Sequence, residues 1–433
     1  MRQNIENGKT LLIDGPACVA LLSGAIRVFG AQIKVGDHII VRRGRRIPIE
    51  AIEDSQLELL FGNSSSYTVI DEDPIPPTWE EAANKILSAE GRVEVAVLGG
   101  IDSGKSSFCI YLANMALNNG RSVALVDGDL GQSDIGPPGT LGLSFIGKPI
   151  IDPFNLQPDH LIFIGITSPY SVIEPTINGL MELRDKAVSA GSNFVIINTD
   201  GWIEGFDAVN YKYRLLSSLK PNFAVAIQNS DELSPIIDSM SDMETEILTI
   251  EVPKNIKKRD RETRKMIRES SYKRYLREAR IRSYPLSWIE VDGNLKIKGK
   301  LDQFLKKKIE DIIGGKIIYC ENSPDYIMLV LREGATLNDE EIAKLTAQFS
   351  KPLRIMRKGD EKGLLVALED KDGKFLGIGT ISSIDFDRSV LKVYTNVKGS
   401  VAKVHVGQIR LNEKGSEVEI VTKNFDKNFL ELR

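Results

Sequence analysis

A glycine-rich stretch in the first third of the chain carries residue types that bind phosphate. The residues GGIDSGKS, from Gly99 to Ser106, fit the pattern G-x-x-x-x-G-K-[ST]. Glycines let the backbone of such a loop curl so that its N–H groups face phosphate oxygens, the lysine reaches the β- and γ-phosphates, and the serine hydroxyl ligates Mg²⁺. An apolar run, VEVAVL, precedes this phosphate loop, and a helical pattern follows it. The sequence therefore predicts a nucleoside triphosphate site with Mg²⁺ or another divalent cation.

The phosphate loop leaves the identity of the nucleotide and the reaction open. A chance glycine-rich turn is the alternative, and the strand before the loop and the helix after it argue against that alternative. The sequence holds no N-K-x-D motif for guanine, which disfavours a GTPase, but the loop does not distinguish ATP from GTP. The residues predicted to contact the nucleotide are Gly99, Gly100, Ile101, Asp102, Ser103, Gly104, Lys105, Ser106 and Ser107.

Two aspartates lie at the end of the next apolar run, in ALVDGDLGQSD. Asp127 and Asp129 alternate there, and Gln132 follows them. One carboxylate facing the γ-phosphate can hold the water shell of a metal, and a second can accept a proton from an attacking hydroxyl. A turn or a helix cap is the alternative, because Asp and Gly are common in both. The position of the pair beside a phosphate loop favours the functional interpretation.

Short apolar runs alternate with helical patterns through the middle of the chain. SVALVDGD, HLIFIGIT, NFVIINTD and NFAVAIQNS end in polar residues, and helical patterns such as Glu174–Ala190 and Ala208–Ser218 lie between them. This alternation predicts an α/β fold with a mostly parallel sheet covered on both faces. Ligands of such sheets bind at the carboxyl ends of the strands. That rule selects four polar segments: Gly99–Ser106, Asp127–Gln132, Thr167–Ser168 and Thr199–Trp202.

The sequence on either side of this central part has a different pattern. Residues 10–72 show short apolar runs with turn signals about every ten residues, which predicts a small all-β domain. The RRGRR stretch at Arg42–Arg46 is interpreted as a solvated hairpin tip. From about Ser287 onward, strand patterns with one or two helices predict a β-rich or α+β domain. We place an N-terminal β domain at 1–75, a central nucleotide-binding domain at 76–288 and a C-terminal domain at 289–433.

The composition excludes several classes of protein. The 433 residues carry a net charge of −4, so the chain as a whole is not a basic nucleic-acid binder. Cys18, Cys109 and Cys320 lie far apart, which predicts neither a disulfide framework nor a metal cluster and favours a reducing compartment. The polar N-terminus predicts no signal peptide, and no apolar run is long enough to predict a membrane span. We expect a cytoplasmic protein with no membrane partner.

Positive charge is concentrated in residues 254–282. This segment holds 13 Lys or Arg and 4 Asp or Glu, a local net charge of +9, whereas the remainder of the chain carries −13. A solvated, salt-bridged helix is the usual explanation of a charge run. The excess here is more than pairing within the segment can neutralise, so contact with phosphate is the better explanation. Arg264 and Arg268 are four residues apart and share one face of a predicted helix.

The motifs GGIDSGKSS, DGDLGQSDIGPPGT, GITSP and NTDGW, followed by the arginine-rich segment, resemble the polynucleotide 5′-hydroxyl kinase family. That family includes the kinase subunit of eukaryotic mRNA 3′-cleavage and tRNA-splicing complexes, ribosomal-RNA-processing kinases and archaeal relatives. The similarity extends over nearly the full chain, including the N-terminal stretch GPACVALLSGAIRVFGAQI, and the chain looks most like the archaeal members. The resemblance implies a nucleotide-binding kinase domain between the two flanking domains, with the N-terminal domain helping to hold the nucleobase.

The resemblance also implies catalytic roles for the matched residues. The lysine that binds phosphate falls on Lys105, and the metal ligands fall on Ser106 and Asp127. Asp129 is the expected base that takes the proton from the 5′-hydroxyl. The D-x-D-x-G-Q motif of the family ends on Gln132, which we place on the substrate side.

Three further segments of the resemblance concern the nucleic-acid substrate. The family's clamp, T-x-G-W, falls on Thr199, Gly201 and Trp202: the indole could stack on a base, and Thr199 with the Gly201 backbone could hold a terminal phosphate. The alternative for Trp202 is a core or surface anchor. Thr167 and Ser168 are expected to line the acceptor side, or else to form a capped turn before Pro169.

An arginine lid of R-x-x-x-R type falls on Arg264 and Arg268. Arginines of such a lid stabilise charge on the moving phosphoryl group. Four other arginines of the segment compete for this role: Arg259, Arg261, Arg274 and Arg277.

These residues lead to one expected function and two alternatives. We expect a kinase that transfers the γ-phosphate of ATP or GTP to the 5′-hydroxyl end of single-stranded or duplex RNA or DNA, with Mg²⁺ as cofactor. The first alternative is a non-catalytic RNA-processing scaffold that binds ATP. The second is a small-molecule kinase or NTPase switch, which leaves the basic segment unexplained. RNA or DNA preference, oligomeric state and the role of residues 289–433 are not encoded in any motif.

Overall fold

The computed structural model describes residues 1–349 and 351–421. The chain divides into two compact units, Met1–Arg268 and a second unit that begins at Glu269. The division into domains at 1–75, 76–288 and 289–433 stays a prediction. Within the described residues, no helix has the length and apolar character needed to cross a membrane.

Nine strands lie within residues 1–75. They are β1 (Arg2–Ile5), β2 (Thr10–Asp14), β3 (Ala17–Ser23), β4 (Ile26–Val28), β5 (Ala31–Ile33), β6 (His38–Val41), β7 (Arg46–Ala51), β8 (Ser55–Phe61) and β9 (Ser66–Ile70). One sheet has the order β1-β8-β3-β6 and the other the order β5-β4-β7-β2-β9. Burial alternates along β7, because one face of the sheet packs on the core. The predicted all-β N-terminal region is confirmed.

The RRGRR stretch is not a solvated hairpin tip. It connects β6 to β7, and these strands belong to different sheets. The Arg42 and Arg45 side chains are only 18% and 19% exposed, because both form ion pairs with the buried carboxylate of Asp134. The expectation of a solvated tip was wrong because the acidic partner lies some ninety residues further along the chain.

The central part of the first unit is built on a seven-stranded sheet. Its strands are β10 (Val93–Gly99), β11 (Val123–Asp127), β12 (Thr140–Ile146), β13 (His160–Phe163), β14 (Phe194–Asn198), β15 (Phe223–Gln228) and β16 (Glu246–Glu251). The order is β13-β12-β11-β14-β10-β15-β16. The five strands from β11 to β16 in this order pair in parallel, whereas β12 and β13 pair antiparallel. The predicted mostly parallel sheet is confirmed.

Six helices lie between or beside the strands of this sheet in the sequence, and the last of them crosses the boundary between the two units. They are α1 (Pro77–Leu87), α2 (Lys105–Asn118), α3 (Ile173–Ser189), α4 (Phe206–Leu219), α5 (Ser234–Ser239) and α6 (Arg261–Tyr275). Strand β10 is buried along its whole length because both of its faces are covered. Val95 and Val97 pack in one apolar cluster with Phe108, and Ala96 and Leu98 pack in a second cluster. This two-sided burial fixes the strand that leads into the phosphate loop.

Besides the end of α6, the second unit contains ten strands and two α-helices within its described residues. The strands are β17 (Arg280–Pro285), β18 (Glu290–Gly293), β19 (Ile317–Asn322), β20 (Ile327–Leu331), β21 (Leu353–Arg357), β22 (Leu364–Glu369), β23 (Phe375–Asp385), β24 (Val390–Thr395), β25 (Lys403–Leu411) and β26 (Glu417–Ile420), and the helices are α7 (Gln303–Ile313) and α8 (Asp339–Gln348). One sheet has the order β17-β24-β23-β22-β25-β18 with β26 paired to β25, and a smaller sheet has the order β19-β20-β21. The predicted β-rich C-terminal region is confirmed.

The packing of α2 onto the sheet gives a test of the first unit. Phe108 is fully buried in α2, and its ring meets that of Trp79 edge to face at 5.2 Å. We expect Phe108→Ala to lower the free energy of unfolding by about 3–5 kcal/mol, because it removes a fully buried ring. Phe206→Ala is the matched control, since the ring of Phe206 is 83% exposed, and it should change stability by less than about 0.5 kcal/mol. Chemical denaturation of both variants checks this, and equal losses would contradict the packing.

Candidate active site

The carboxyl ends of β10, β11 and β14 meet beside a cavity of about 800 Å³. The parallel register places Val97 beside Asn198 and Asn198 beside Asp127, so the polar ends of three strands are adjacent. Sixteen of the predicted site residues line this cavity: Gly100, Ile101, Asp102, Ser103, Gly104, Lys105, Ser106, Ser107, Asp129, Gln132, Thr167, Ser168, Gly201, Trp202, Arg264 and Arg268. Gly99, Asp127 and Thr199 lie outside its lining.

The backbone of the phosphate loop turns sharply between β10 and α2. Asp102 has φ +56° and Gly104 has φ +102°, both in the left-handed region. Aspartate tolerates this region better than most residues, and glycine tolerates it without steric cost. Helix α2 begins at Lys105, directly after the turn, so its N-terminal N–H groups face the loop. The loop has the shape that the sequence pattern predicted.

The Lys105 side chain folds back onto this loop. Its Nζ donates to the carbonyl oxygens of Gly99 at 2.9 Å and Gly100 at 2.7 Å, and the residue is only 7% exposed. Burial lowers the pKa of Lys105, and the charge of Asp129 partly opposes this shift. The two carbonyl oxygens balance the positive charge of the Lys105 ammonium group only in part. Phosphate oxygens in the cavity would supply the missing negative charge.

Asp127 is held in a small buried space behind the phosphate loop. Its Oδ2 accepts from the backbone N–H of Asp134 at 2.6 Å and from the Ser133 hydroxyl at 3.2 Å. Its Oδ1 accepts from Asn198 Nδ2 at 3.1 Å, and the same nitrogen lies 3.4 Å from Ser106 Oγ. Burial raises the pKa of Asp127, and the neighbouring carboxylates add to this shift. Asn198, which the sequence analysis did not single out, therefore links the two predicted metal ligands.

The oxygen atoms around Asn198 suit Mg²⁺. The hydroxyl of Ser106 and the carboxylate of Asp127 are hard donors, and Asn198 Oδ1 is buried without a hydrogen-bond partner. Among residues 1–349 and 351–421, no group of three or more His, Cys, Asp or Glu side chains is arranged to hold a metal. Mg²⁺ that also binds substrate phosphates is usually held by only one or two protein carboxylates.

Asp129 faces the cavity from the loop after β11. Its Oδ1 accepts from the backbone N–H of Gly131 at 3.0 Å and of Gln132 at 2.9 Å, which fixes the carboxylate in a turn. Burial raises the pKa of Asp129, and the charge of Lys105 opposes this shift. A raised pKa brings a carboxylate closer to the range in which it can take up a proton at neutral pH.

An arginine of the basic segment binds the phosphate loop directly. The Arg259 backbone N–H donates to Asp102 Oδ2 at 2.8 Å, and its Nε donates to Oδ1 at 2.7 Å. Arg264 Nη1 donates to the Arg259 carbonyl at 2.6 Å and lies 3.6 Å from Asp102 Oδ2. Arg259 was named only as a competitor, because sequence spacing does not reveal a pairing across 157 residues.

The basic residues contribute to the cavity unequally. Arg259 lines the cavity with Arg264 and Arg268, whereas Arg261 lies outside the lining. Arg274 and Arg277 belong to the second unit.

Trp202 is part of an aromatic group. Its ring stacks on Tyr211 with centroids 5.6 Å apart and planes at 20°, and Tyr170 meets it edge to face at 5.5 Å. Tyr211 is fully buried, whereas Tyr170 is 65% exposed. Gly201, next to Trp202, packs so tightly on the phosphate loop that a Cβ there would lie 2.8 Å from Ile101 Cγ1. The clamp segment is therefore fixed against both a buried ring and the nucleotide loop.

Thr199 has a different environment from the one its predicted role requires. It is fully buried, and its hydroxyl donates to the Val97 carbonyl at 2.9 Å. Thr199 thus joins β14 to β10 beneath the cavity.

A buried ion pair that the sequence analysis missed supports the clamp. Lys212 Nζ lies 2.9 Å from Asp200 Oδ2, and the Tyr211 hydroxyl donates to the same oxygen at 2.8 Å. Asp200 Oδ1 accepts from the Trp202 backbone N–H at 2.9 Å. Asp200 could have been noticed in the sequence, because it lies between the predicted site residues Thr199 and Gly201. Its partner Lys212 on α4 could not be predicted from spacing.

Thr167, Ser168 and Gln132 occupy the remaining side of the cavity. Ser168 precedes a single 3-10 turn, and its side chain makes no capping hydrogen bond to that turn. Gln132 Nε2 donates to the Gly131 carbonyl at 2.7 Å, while its Oε1 is buried without a hydrogen-bond partner. Gln132 Oε1 can therefore accept a hydrogen bond from a donor in the cavity.

Comparison with known proteins identifies a matching family model and similar curated proteins. A family model described as mRNA cleavage and polyadenylation factor CLP1 P-loop matches residues 99–278. A polyribonucleotide 5′-hydroxyl-kinase from Pyrococcus horikoshii is 30% identical over 346 residues, which cover 78% of this chain and 92% of the relative. A polyribonucleotide 5′-hydroxyl-kinase from Methanocaldococcus jannaschii is 28% identical over 355 residues, which cover 81% of this chain and 96% of the relative.

Solved structures share the fold. A chain from the wild-type Clp1p–Pcf11p complex aligns with a TM-score of 0.66 at 15% identity and covers 95% of this chain and 97% of its own. A chain from a structure of the extended Pcf11p–Clp1p interface aligns with a TM-score of 0.67 at 14% identity, over 95% and 98% of the two chains. The architecture therefore extends to proteins of low sequence identity.

The buried Asp200–Lys212 pair gives a test of the clamp support. We expect Lys212→Met to lower the free energy of unfolding by about 3–5 kcal/mol, because it leaves the Asp200 carboxylate buried without its cation. Lys85→Met is the control, since the pair of Lys85 with Glu246 is on the surface and should be worth less than about 1 kcal/mol. Adding Asp200→Asn to Lys212→Met should restore part of the loss in a denaturation experiment. A double variant as unstable as the sum of its single variants would contradict the pairing.

Proposed function

This chain belongs to the polyribonucleotide 5′-hydroxyl-kinase family, and we propose that it transfers the γ-phosphoryl group of ATP or another nucleoside triphosphate to the 5′-hydroxyl end of RNA or DNA. The observation that carries the proposal is a single cavity lined by Lys105, Asp129, Trp202 and arginines of the basic segment. These residues supply phosphate binding, proton transfer and base stacking at one place. The names of the archaeal relatives support the acceptor class, RNA in particular.

The donor phosphates are bound by the loop between β10 and α2. Backbone N–H groups at the start of α2 and the Lys105 ammonium group neutralise the phosphate oxygens. Ser106 and Asp127 would hold Mg²⁺, which when bound to the triphosphate neutralises part of its charge. Exchange of the Gly99 and Gly100 carbonyls for phosphate oxygens would give Lys105 the anionic partner that its burial requires.

Asp129 acts on the acceptor. The 5′-oxygen forms a bond to the γ-phosphorus while the bond from that phosphorus to the β,γ-bridging oxygen breaks, and the nucleoside diphosphate leaves. The proton of the 5′-hydroxyl passes to the Asp129 carboxylate, whose two backbone hydrogen bonds hold it in the cavity. A carboxylate with a pKa raised by burial suits this role better than a fully solvated one.

The remaining cavity residues bind charge and bases. Arg264 and Arg268 on α6, with Arg259 before it, line the cavity. Their guanidinium groups would stabilise the negative charge that develops on the phosphoryl group. Trp202 offers a face for the terminal base, and stacking on it tolerates any sequence. Thr167, Ser168, Gln132 and the Gly201 backbone bind the acceptor end, and Thr199 contributes by fixing the strand beneath them.

The principal alternative is a scaffold that binds ATP without transferring phosphate. The presence of Lys105, Asp129 and the arginines in one cavity favours the kinase. Label transfer from γ-labelled ATP to a 5′-hydroxyl oligonucleotide separates the two. Transfer by the wild type and none by Lys105→Ala is expected, whereas no transfer by either protein would favour the scaffold. Nucleotide turnover indifferent to the oligonucleotide would instead indicate an NTPase or a small-molecule kinase.

Removal of the proposed base tests the chemistry. We expect Asp129→Asn to lower kcat for transfer by about 10²–10⁴-fold, because the amide cannot accept the hydroxyl proton. Nucleotide affinity should change little. Asp207→Asn, on the exposed first turn of α4, is the control and should behave as the wild type. An Asp129→Asn protein with the kcat of the wild type would refute the assignment of the base.

Truncation of the proposed stacking residue tests the acceptor site. Trp202→Ala should weaken oligonucleotide binding by about 1–3 kcal/mol, seen as a raised KM for the oligonucleotide with an unchanged KM for ATP. Trp202→Phe should recover part of the loss, because it keeps an aromatic face. Trp288→Ala is the control, since Trp288 is 78% exposed in the second unit. A raised KM for ATP alone would place Trp202 on the donor side.

A further inference from the structure

We propose that Arg45, from the N-terminal β region, is a positioning residue that acts through Asp134 to fix the metal-binding carboxylate of Asp127. The inference rests on the proposed function, because it assigns Asp127 to the metal that accompanies the triphosphate. It extends that function by giving the turn between β6 and β7 a part in metal binding.

Arg45 lies in a turn whose backbone geometry is fixed. Gly44 has φ +77°, which turns the chain between the two sheets. The Arg45 backbone N–H donates to the Arg42 carbonyl at 3.1 Å, and the Arg45 carbonyl accepts from the Gly15 N–H at 3.0 Å. These contacts fix the backbone from which both guanidinium groups extend.

This turn forms a group of ion pairs with the central sheet region. Arg42 binds Asp152 through Nε at 2.5 Å and Nη2 at 2.7 Å, and its Nη2 also binds Asp134 Oδ1 at 2.9 Å. Arg45 Nη2 binds the other oxygen, Asp134 Oδ2. The two carboxylate side chains are 6% and 5% exposed. Both oxygens of Asp134 are therefore held by guanidinium groups in a place that water scarcely reaches, where such pairs are geometrically strict.

Hydrogen bonds link this group of ion pairs to the predicted metal ligand Asp127. The backbone N–H of Asp134 donates to Asp127 Oδ2 at 2.6 Å, and the adjacent Ser133 hydroxyl donates to the same oxygen. The orientation of the Asp127 carboxylate thus depends on where the chain at residues 133 and 134 lies. Arg45 helps to set that position through Asp134 Oδ2, and it shares with Arg42 the neutralisation of the Asp134 carboxylate.

A metal-binding consequence follows from this geometry. Groups that orient a metal ligand by hydrogen bonds change metal affinity by about 10–100-fold when they are removed. Loss of Arg45 would leave Asp134 held by Arg42 through Oδ1 alone, and would loosen the donors to Asp127. The nucleotide would then gain less affinity from Mg²⁺, although the phosphate loop and the clamp remain intact.

The experiment measures binding of a non-hydrolysable ATP analogue by calorimetry, with and without Mg²⁺. For Arg45→Ala we expect the gain in affinity that Mg²⁺ confers to shrink by about 10-fold or more. Binding without Mg²⁺ should change little, and the KM for the oligonucleotide should be unaltered. Arg43→Ala is the matched control, because Arg43 lies in the same turn and is exposed; it should keep the gain of the wild type. An undiminished gain in Arg45→Ala would overturn the proposal.

A second comparison separates positioning from direct contact, since Arg45 also lines the cavity. In an Asp134→Asn background, Arg45→Ala should cause little further loss of the Mg²⁺ effect, because the route through Asp134 is already weakened. A full additional loss would show that Arg45 binds the nucleotide itself and would overturn the proposal. Arg45→Lys keeps the charge without the planar fork, and we expect only partial rescue. This variant also serves if Arg45→Ala does not fold.

The outcome is distinguishable from failure of the proposed function. If the wild type transfers label and the Mg²⁺ effect is intact in Arg45→Ala, the positioning role alone is wrong. If the wild type transfers no label, the kinase assignment is wrong whatever the Arg45 variants show.

Discussion

The burial of the Asp127 carboxylate at the end of β11 is the constraint on which the site depends. With 2% exposure, this group cannot rely on water, so each of its oxygens must be satisfied by protein donors. The donors come from Asn198 at the end of β14 and from the chain segment at Ser133 and Asp134. The parallel register of β11 and β14 brings the first donor into place, and the loop after β11 brings the others.

Other buried carboxylates near Asp127 must also have their charge compensated within the protein. Asp134 is a second buried carboxylate, and the cations that compensate it come from the turn between β6 and β7. The clamp uses the same device, because Lys212 compensates the buried Asp200 beneath Trp202. On the other side of the phosphate loop, Arg259 compensates Asp102. Three carboxylates close to the phosphate loop are thus paired with cations, and for Asp134 and Asp102 the cation comes from an element distant in sequence.

The sequence predicted the features whose residues are close together along the chain, and it did not predict those formed by residues far apart along the chain. The phosphate loop, the Asp127 and Asp129 pair and the strand–helix alternation are local patterns, and the structure shows the loop and the parallel sheet as expected. The pairings of Asp102 with Arg259 and of Asp134 with Arg45 cross 157 and 89 residues, so no spacing rule could find them. The burial of Thr199 was also hidden, because a polar residue at a strand end can face the ligand or the neighbouring strand.

The contact between Gly201 and Ile101 has a consequence for how the chain can vary. A Cβ on residue 201 would lie 3.0 Å from the Ile101 backbone nitrogen, so even alanine would push two loops apart. One of these loops is the proposed donor site and the other the proposed acceptor site. The hydrogen atom in place of a side chain at Gly201 therefore lets the proposed donor and acceptor loops lie in contact. Divergence at this position would alter the reach between them, while divergence at neighbouring exposed residues such as Glu204 would leave that reach untouched.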